Sequence, residues 1–216
     1  MTEHDASAVR ALLDALAGVE LPTVGHFLED GFCDARIRPI GQVSRMAGPA
    51  VTVDLTQPDA ITVNHAVLRL EPGSVLVIRV RSGRHAPVGA VTTAAAIARG
   101  AAGIVVDGPV TDAAALRETA DVLPVFADGV TALTTKRLGT ALDGIGRPVE
   151  IGGVTIANGD IVAGDENGVI ALTPGAVEPA VVEAALRSDL GEPELIRRIR
   201  RGDPLEHLLA LQPPTT

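Results

Sequence analysis

The chain has 216 residues, enough to bury most of its apolar surface in one domain, and its lone Cys33 excludes an internal disulfide and a thiolate metal cluster. A net charge of −9, from 18 Lys and Arg against 27 Asp and Glu, repels a phosphate backbone, and three Phe with no Trp or Tyr leave no stacking platform for bases. With no secretory segment and no apolar run of about 18 residues, a cytoplasmic protein that engages neither nucleic acid nor membrane is expected.

Hydrophobic periodicity predicts an amphipathic helix from Asp5 to Leu16 and a short one from Leu21 to Glu29, entered through Pro22. Strands follow at Ile37 to Val43 and Ala50 to Leu55, a helix at Ala60 to Leu70, and a buried strand at Val75 to Val80 behind the turn Pro72-Gly73. The next stretch, GAVTTAAAIARGAAGIVVDGPVTD from Gly89 to Asp112, is the most informative in the chain. It reads as a helix ending at Arg99-Gly100, a core strand over Gly103 to Val106, and a turn through Asp107, Gly108 and Pro109 into a helix from Thr111 to Ala120. Asp107 and Asp112 therefore fall at the carboxyl end of a strand, the edge at which open α/β sheets hold ligands. Pro124 to Phe126 continues the alternation.

From Val149 the texture changes to short glycine-rich strands, Val149 to Gly152, Val154 to Ile156, Ile161 to Ala163 and Val169 to Leu172, with turns at Asn158-Gly159 and Asn167-Gly168. Helices are expected over about 174–211, at Pro174 to Arg187 and Glu192 to Arg201, before a frayed tail at 212–216. The basic run at 197–201 has the spacing of a solvated helix face. The whole is one α/β domain, 1–216, with a mixed sheet.

Several chemistries have no footing. Lys136, the one lysine, lies in a polar segment without the apolar flanks that depress an amine pKa, which argues against a Schiff base. Gly-x-Ser-x-Gly, Walker and His-Glu-x-x-His motifs are absent, leaving carboxylates, arginines, glycine turns and five scattered histidines.

Along nearly its whole length the chain resembles the RraA-like group, which includes the regulator of ribonuclease activity A and the class II 4-hydroxy-4-methyl-2-oxoglutarate aldolases. The resemblance is carried by Gly48-Pro49-Ala50 with Thr52-Val53, Pro72-Gly73 before Val75 to Ile78, and Ala98-Arg99-Gly100. It continues through Asp107-Gly108 with Asp112, Gly152-Gly153-Val154, Gly159-Asp160, and Asp165 to Val169. It implies an α/β/α, swivelling-type fold assembled as a homotrimer or hexamer with sites at subunit boundaries. It also implies a bound Mg²⁺ or Mn²⁺ and cleavage or decarboxylation of a 2-oxo acid through a pyruvate enolate, with the ion as Lewis acid.

By this resemblance Asp112 falls on the metal-linked aspartate, and one carboxylate with a chelating 2-oxo acid suffices for Mg²⁺. The competing reading makes Thr111 an N-cap and Asp112 an acid of the first helical turn. Two family positions are changed: the arginine before the aspartate is Thr111, and the acid that opens the preceding helix after Gly89 is Ala90. Backbone N–H groups at Val91 and Thr92 remain to cradle a carboxylate. Arg84 and His85, with Arg81, are placed in the preceding loop to replace the lost charge, or are loop charges kept in water. His26, where related chains often have Asp, is an acid or base of near-neutral pKa or a packing residue. A third reading is a diverged enzyme acting on another small acid. The changed positions also suit a non-catalytic ring that regulates a protein partner such as a ribonuclease.

Overall fold

The computed structural model describes residues 3–42, 45–177 and 179–211. Its centre is a seven-stranded mixed sheet. Apolar runs too short for helices supply four parallel neighbours, β2 (Met46–Leu55), β3 (Val75–Val80), β4 (Gly103–Asp107) and β5 (Val125–Ala127). β1 (Arg38–Pro39) adds antiparallel to β5. At the other side β8 (Ile161–Asp165) pairs antiparallel with the first half of β2, and β9 (Gly168–Leu172) with β8. β2 thus serves two ladders: Met46 to Pro49 face β8, and Ala50 to Leu55 face β3.

The sheet curls until it nearly closes. The segment before β1 runs along β9, where Cys33 N–H donates to the Val169 carbonyl and Ala171 N–H to that of Gly31. Alternation along the strands then separates an inner from two outer faces. Outside the parallel half, α3 (Ala60–Val67), α4 (Ala90–Ala98) and α5 (Ala113–Glu118) bury Val63, Ala66, Ala96 and Leu116 against Val53, Ile78, Ile104 and Val106. Outside the antiparallel half, α1 (Glu3–Ala17), α2 (Leu21–Val24) and α6 (Pro179–Arg200) cover Ile161, Ala163, Ile170 and Leu172. Inside, the hairpin of β6 (Val149–Ile151) and β7 (Val154–Ile156) plugs the curl against Val75, Val77, Val105 and Phe126. The mixed α/β class is the one the sequence implies, with helices on both outer sides of the sheet.

Three expected elements differ. The helix expected over Leu21 to Glu29 stops at Val24, where Gly25, a poor helix former, follows; Gly25 N–H still donates to the Leu21 carbonyl, but His26 N–H already tightens onto that of Thr23. The strand expected from Ile37 pairs only at Arg38 and Pro39, since Pro39 brings no donor and Gly41 turns at φ 112; Val43 lies outside the described residues. The two C-terminal helices are one, α6, with Pro193 in its interior, and the tail 212–216 lies outside the described residues.

Glycine is needed where β2 meets the turn before β3. A Cβ on Gly48 would overlap the Gly73 carbonyl oxygen, a backbone atom that cannot step aside. Gly191, inside α6, meets nothing within 4 Å. Gly48→Ala is therefore expected to destabilise by more than about 2 kcal/mol, and Gly191→Ala to stabilise by up to about 1 kcal/mol. Urea unfolding midpoints at unchanged slope measure both.

Candidate active site

The parallel half brings the β3–α4 and β4–α5 loops together at the carboxyl ends of β3 and β4. Gly89 is the N-cap of α4 in extended conformation, and Asp112 the N-cap of α5 at φ 54, ψ 43. Asp112 is the one non-glycine residue with positive φ among the described residues. That left-handed turn brings its carboxylate back to α4, where Oδ2 accepts from Ala90 N–H at 2.9 Å. The loops are also joined directly, Thr111 N–H donating to the Val88 carbonyl at 2.9 Å. A Cβ on Gly89 would stand 2.5 Å from Asp112 Oδ2 and 2.7 Å from Thr111 Cγ2, so only glycine lets the two loops meet this closely.

The geometry favours a negative group here. Thr93 N–H is the first in α4 to find an intrahelical acceptor, the Gly89 carbonyl at 3.0 Å, so Val91 and Thr92 direct theirs out of the helix end. Thr111 is half-buried and Asp112 exposed. The N-cap reading of Thr111 gives way: Asp112 occupies that position, and its side chain caps no N–H of its own helix. Its carboxylate is tied to α4 through one oxygen, Oδ2, at an exposed position.

The other expected residues are distributed unevenly. Asp107 does not join Asp112. Its carboxylate turns to the inside of the curl, paired with Arg36 at 2.6 Å and accepting from Gly152 N–H at 2.9 Å. It belongs to a charged row in register across three strands, Asp54, Arg79 and Asp107, which closes the inner core at its mouth. Arg81 joins that row, gripping Asp54 through Nε at 2.9 Å and Nη2 at 2.6 Å, and so is not free to replace a site arginine. The guanidinium holds the Asp54 carboxyl below the usual carboxylate range, against the opposing effect of burial. Arg84 is exposed in the loop that feeds Gly89, and His85 Nδ1 lies 3.3 Å from Ser82 Oγ. His26 is exposed on the far side, in a groove shared with Thr23 of α2 and Asp189 and Glu192 of α6, and the fold does not bring it to Asp112 within one chain. Burial, reinforced by the Asp107 charge, pushes the Cys33 thiol up to about 12, which keeps it protonated and non-nucleophilic at neutral pH.

Sequence reasoning missed Asp59, a fully buried carboxylate at the start of α3. Its Oδ1 accepts from Ile61 and Leu138 N–H, each at 3.0 Å, and its Oδ2 from Thr62 Oγ1 at 2.8 Å and Thr140 N–H at 3.0 Å. The one available signal was an Asp directly ahead of a helix, which explains the first two donors but not the remote pair.

Residues 10–171 match the RraA-like family, described as Aldolase/RraA. The chain belongs to the RraA-like family. It is 33% identical over 149 residues, 68% of this chain and 69% of the other, to a Halalkalibacterium halodurans protein provisionally named 4-hydroxy-4-methyl-2-oxoglutarate aldolase. A crystal structure of an uncharacterized Pseudomonas syringae pv. tomato protein superposes with a TM-score of 0.76 at 26% identity, covering 92% of each chain. The RNA-processing inhibitor RraA of Thermus thermophilis shares the fold at a TM-score of 0.63 and 24% identity, over 74% of this chain and 96% of that one. Among the described residues, no helix is long and apolar enough to cross a membrane.

Burial opposes the charge of Asp59, but hydrogen bonds from Gly139, Thr62, Leu138 and Ile61 outweigh it and hold this carboxyl well below the usual carboxylate range. A depressed folded pKa gives stability that is complete above the unfolded value of about 3.9 and is lost as pH falls toward the folded one. Asp59→Asn is expected to cost about 2 kcal/mol or more at pH 7. Because Asn does not titrate, the gap from wild type should narrow as pH drops from about 5 toward 2. Denaturant unfolding across that range checks it, and a gap constant with pH would contradict the assignment.

Proposed function

We propose that this chain is a divalent-metal-dependent carbon–carbon lyase that cleaves or decarboxylates a 2-oxo acid through a pyruvate enolate. The observation that carries the reading is the Asp112 carboxylate, exposed and held on the α4 N-terminus through Oδ2 by Ala90 N–H. Support also comes from the RraA-like family and from the relative that bears an aldolase name.

The residues present fit Mg²⁺ or Mn²⁺ in one particular way. Among the described residues no three His, Cys, Asp or Glu side chains gather into a metal cluster. Mg²⁺, however, keeps several waters and needs only one or two carboxylates when the substrate chelates it. Asp112 would hold the ion, which when bound supplies Lewis-acid polarisation of the 2-oxo group. The chain's own groups do the rest. Val91 and Thr92 N–H receive the substrate carboxylate at the positive end of α4, while Gly89 keeps that approach free of a side chain. Thr111, whose Cγ2 lies toward Gly89, stands where a guanidinium would grip the acid, and Arg84 and His85 stand in the loop behind Gly89 as the basic side chains nearest in sequence. A hydrogen bond to a charged group is worth about 1.5–3 kcal/mol, so the missing arginine lowers rate or affinity roughly tenfold to a few hundredfold. His26 takes part as acid or base only across a boundary between copies, in a cytoplasmic homotrimer or hexamer.

The substitutions at Ala90 and Thr111 favour a second reading, a ring that has set this chemistry aside and regulates a protein partner such as a ribonuclease. The two readings separate in one assay. Purified protein saturated with Mn²⁺ or Mg²⁺ is expected to release pyruvate from oxaloacetate or a 4-hydroxy-2-oxo acid. Asp112→Ala should abolish the release, and Thr111→Arg should raise kcat/KM about tenfold or more. No release by wild type, together with a ribonuclease complex indifferent to Asp112→Ala, would overturn the lyase reading in favour of the second.

A further inference from the structure

Between β5 and β6 the chain does not return directly to the core. Residues 128–140 run across the carboxyl ends of the parallel strands and bond in turn to three loops that are far apart in sequence. Asp128 N–H donates to the Gly108 carbonyl at 3.0 Å, Val110 N–H to Gly129 at 2.9 Å, and Thr131 N–H back to Val110 at 2.9 Å. Farther on, Ala86 N–H donates to the Leu133 carbonyl at 2.8 Å and Thr135 N–H to Ala86 at 3.4 Å. Last, Lys136 N–H donates to Pro58 at 2.7 Å and Ala60 N–H to Lys136 at 2.8 Å. The three contacts register as parallel bridges, Val110 with Val130, Ala86 with Thr134, and Asp59 with Lys136. The strap thus ties the loop that ends at Asp112 to the loop that ends at Gly89, and both to the start of α3.

Its near end carries an exposed ion pair, Asp128 with Arg36 at 3.0 Å, whereas its far end is held by a buried charge. Leu138 and Thr140 N–H both converge on the buried Asp59 carboxylate, whose other donors, Ile61 N–H and Thr62 Oγ1, belong to the first turn of α3. One carboxylate therefore caps a helix and clamps a strap, each oxygen taking one donor from either side. We propose that Asp59 is a positioning residue for the Gly89/Asp112 crevice, acting through this strap to hold the β3–α4 and β4–α5 loops at the spacing the site requires. For the crevice's chemistry the inference rests on the lyase reading; for its mechanics it does not.

An Asn at 59 keeps the shape but turns one acceptor into a donor, opposing either the Leu138 or the Thr140 N–H. Thr62→Val is the matched control, because it removes a donor on the helix side alone. Hydrogen exchange of the full chain without ligand should show residues 129–140, 86–92 and 109–113 exchanging about ten- to a hundredfold faster in Asp59→Asn. In Thr62→Val the change should stay within the first turn of α3. Mn²⁺ affinity, and KM for oxaloacetate more than kcat, should weaken in Asp59→Asn and hold in Thr62→Val. If Asp59→Asn does not fold, Thr140→Pro, which deletes one strap donor and leaves α3 intact, is expected to loosen the same three segments. The proposal is overturned if 86–92 and 109–113 stay as protected as in wild type, or if Thr62→Val loosens them equally. A wild type without turnover would remove the lyase reading and leave the exchange result standing.

Discussion

The crevice depends on how closely α4 can approach the turn after β4. Gly89 permits that approach because a Cβ there would collide with Asp112 and Thr111. Once the helix end is in place, its first N–H finds the Asp112 carboxylate, and the favourable interaction of a negative group with the dipole offsets the unfavourable left-handed backbone that Asp112 must adopt. The same contact sets the electrostatics: one carboxylate oxygen accepts from the first N–H of α4, and the next two N–H groups of that helix end have no acceptor within the helix.

Two charge systems at the same end of the sheet do different work. On the inside of the curl, Arg36, Arg79 and Arg81 are matched to Asp107, Glu150 and Asp54, which seals the mouth of the inner core. On the outside, the crevice between the loops keeps Asp112 exposed with a backbone donor rather than a side-chain cation. This segregation explains why an arginine-rich loop beside the site does not automatically restore a guanidinium at Thr111.

Much of the fold was legible because its signals are local. The runs at Val75 to Val80, Gly103 to Val106 and Val169 to Leu172 are short, apolar and bounded by glycine, and each is a strand. Asp112 was legible at the carboxyl end of a strand through the helix–strand–turn pattern before it, although the residue expected beside it was Asp107. What stayed hidden was nonlocal or conformational. Residues 128–140 have no hydrophobic period, and their partners at 59, 86 and 110 are named by topology alone. The inward turn of Asp107 depends on Arg36, some 70 residues upstream. The break expected between Arg187 and Glu192 does not occur: α6 runs on through Pro193, with Thr23 Oγ1 bonded at 2.8 Å to Asp189 inside the expected gap. The positive φ of Asp112 has no sequence mark at all.

The central claim is that Asp112 and the α4 N-terminus form one site for a metal ion and a 2-oxo acid. Anomalous diffraction from crystals soaked with Mn²⁺ and oxalate, a planar stand-in for the pyruvate enolate, tests it directly. The account predicts a manganese peak in contact with Asp112 Oδ1, with an oxalate carboxylate on the Val91 and Thr92 N–H groups. A crevice without manganese, or a peak held by other side chains with Asp112 uninvolved, would contradict it.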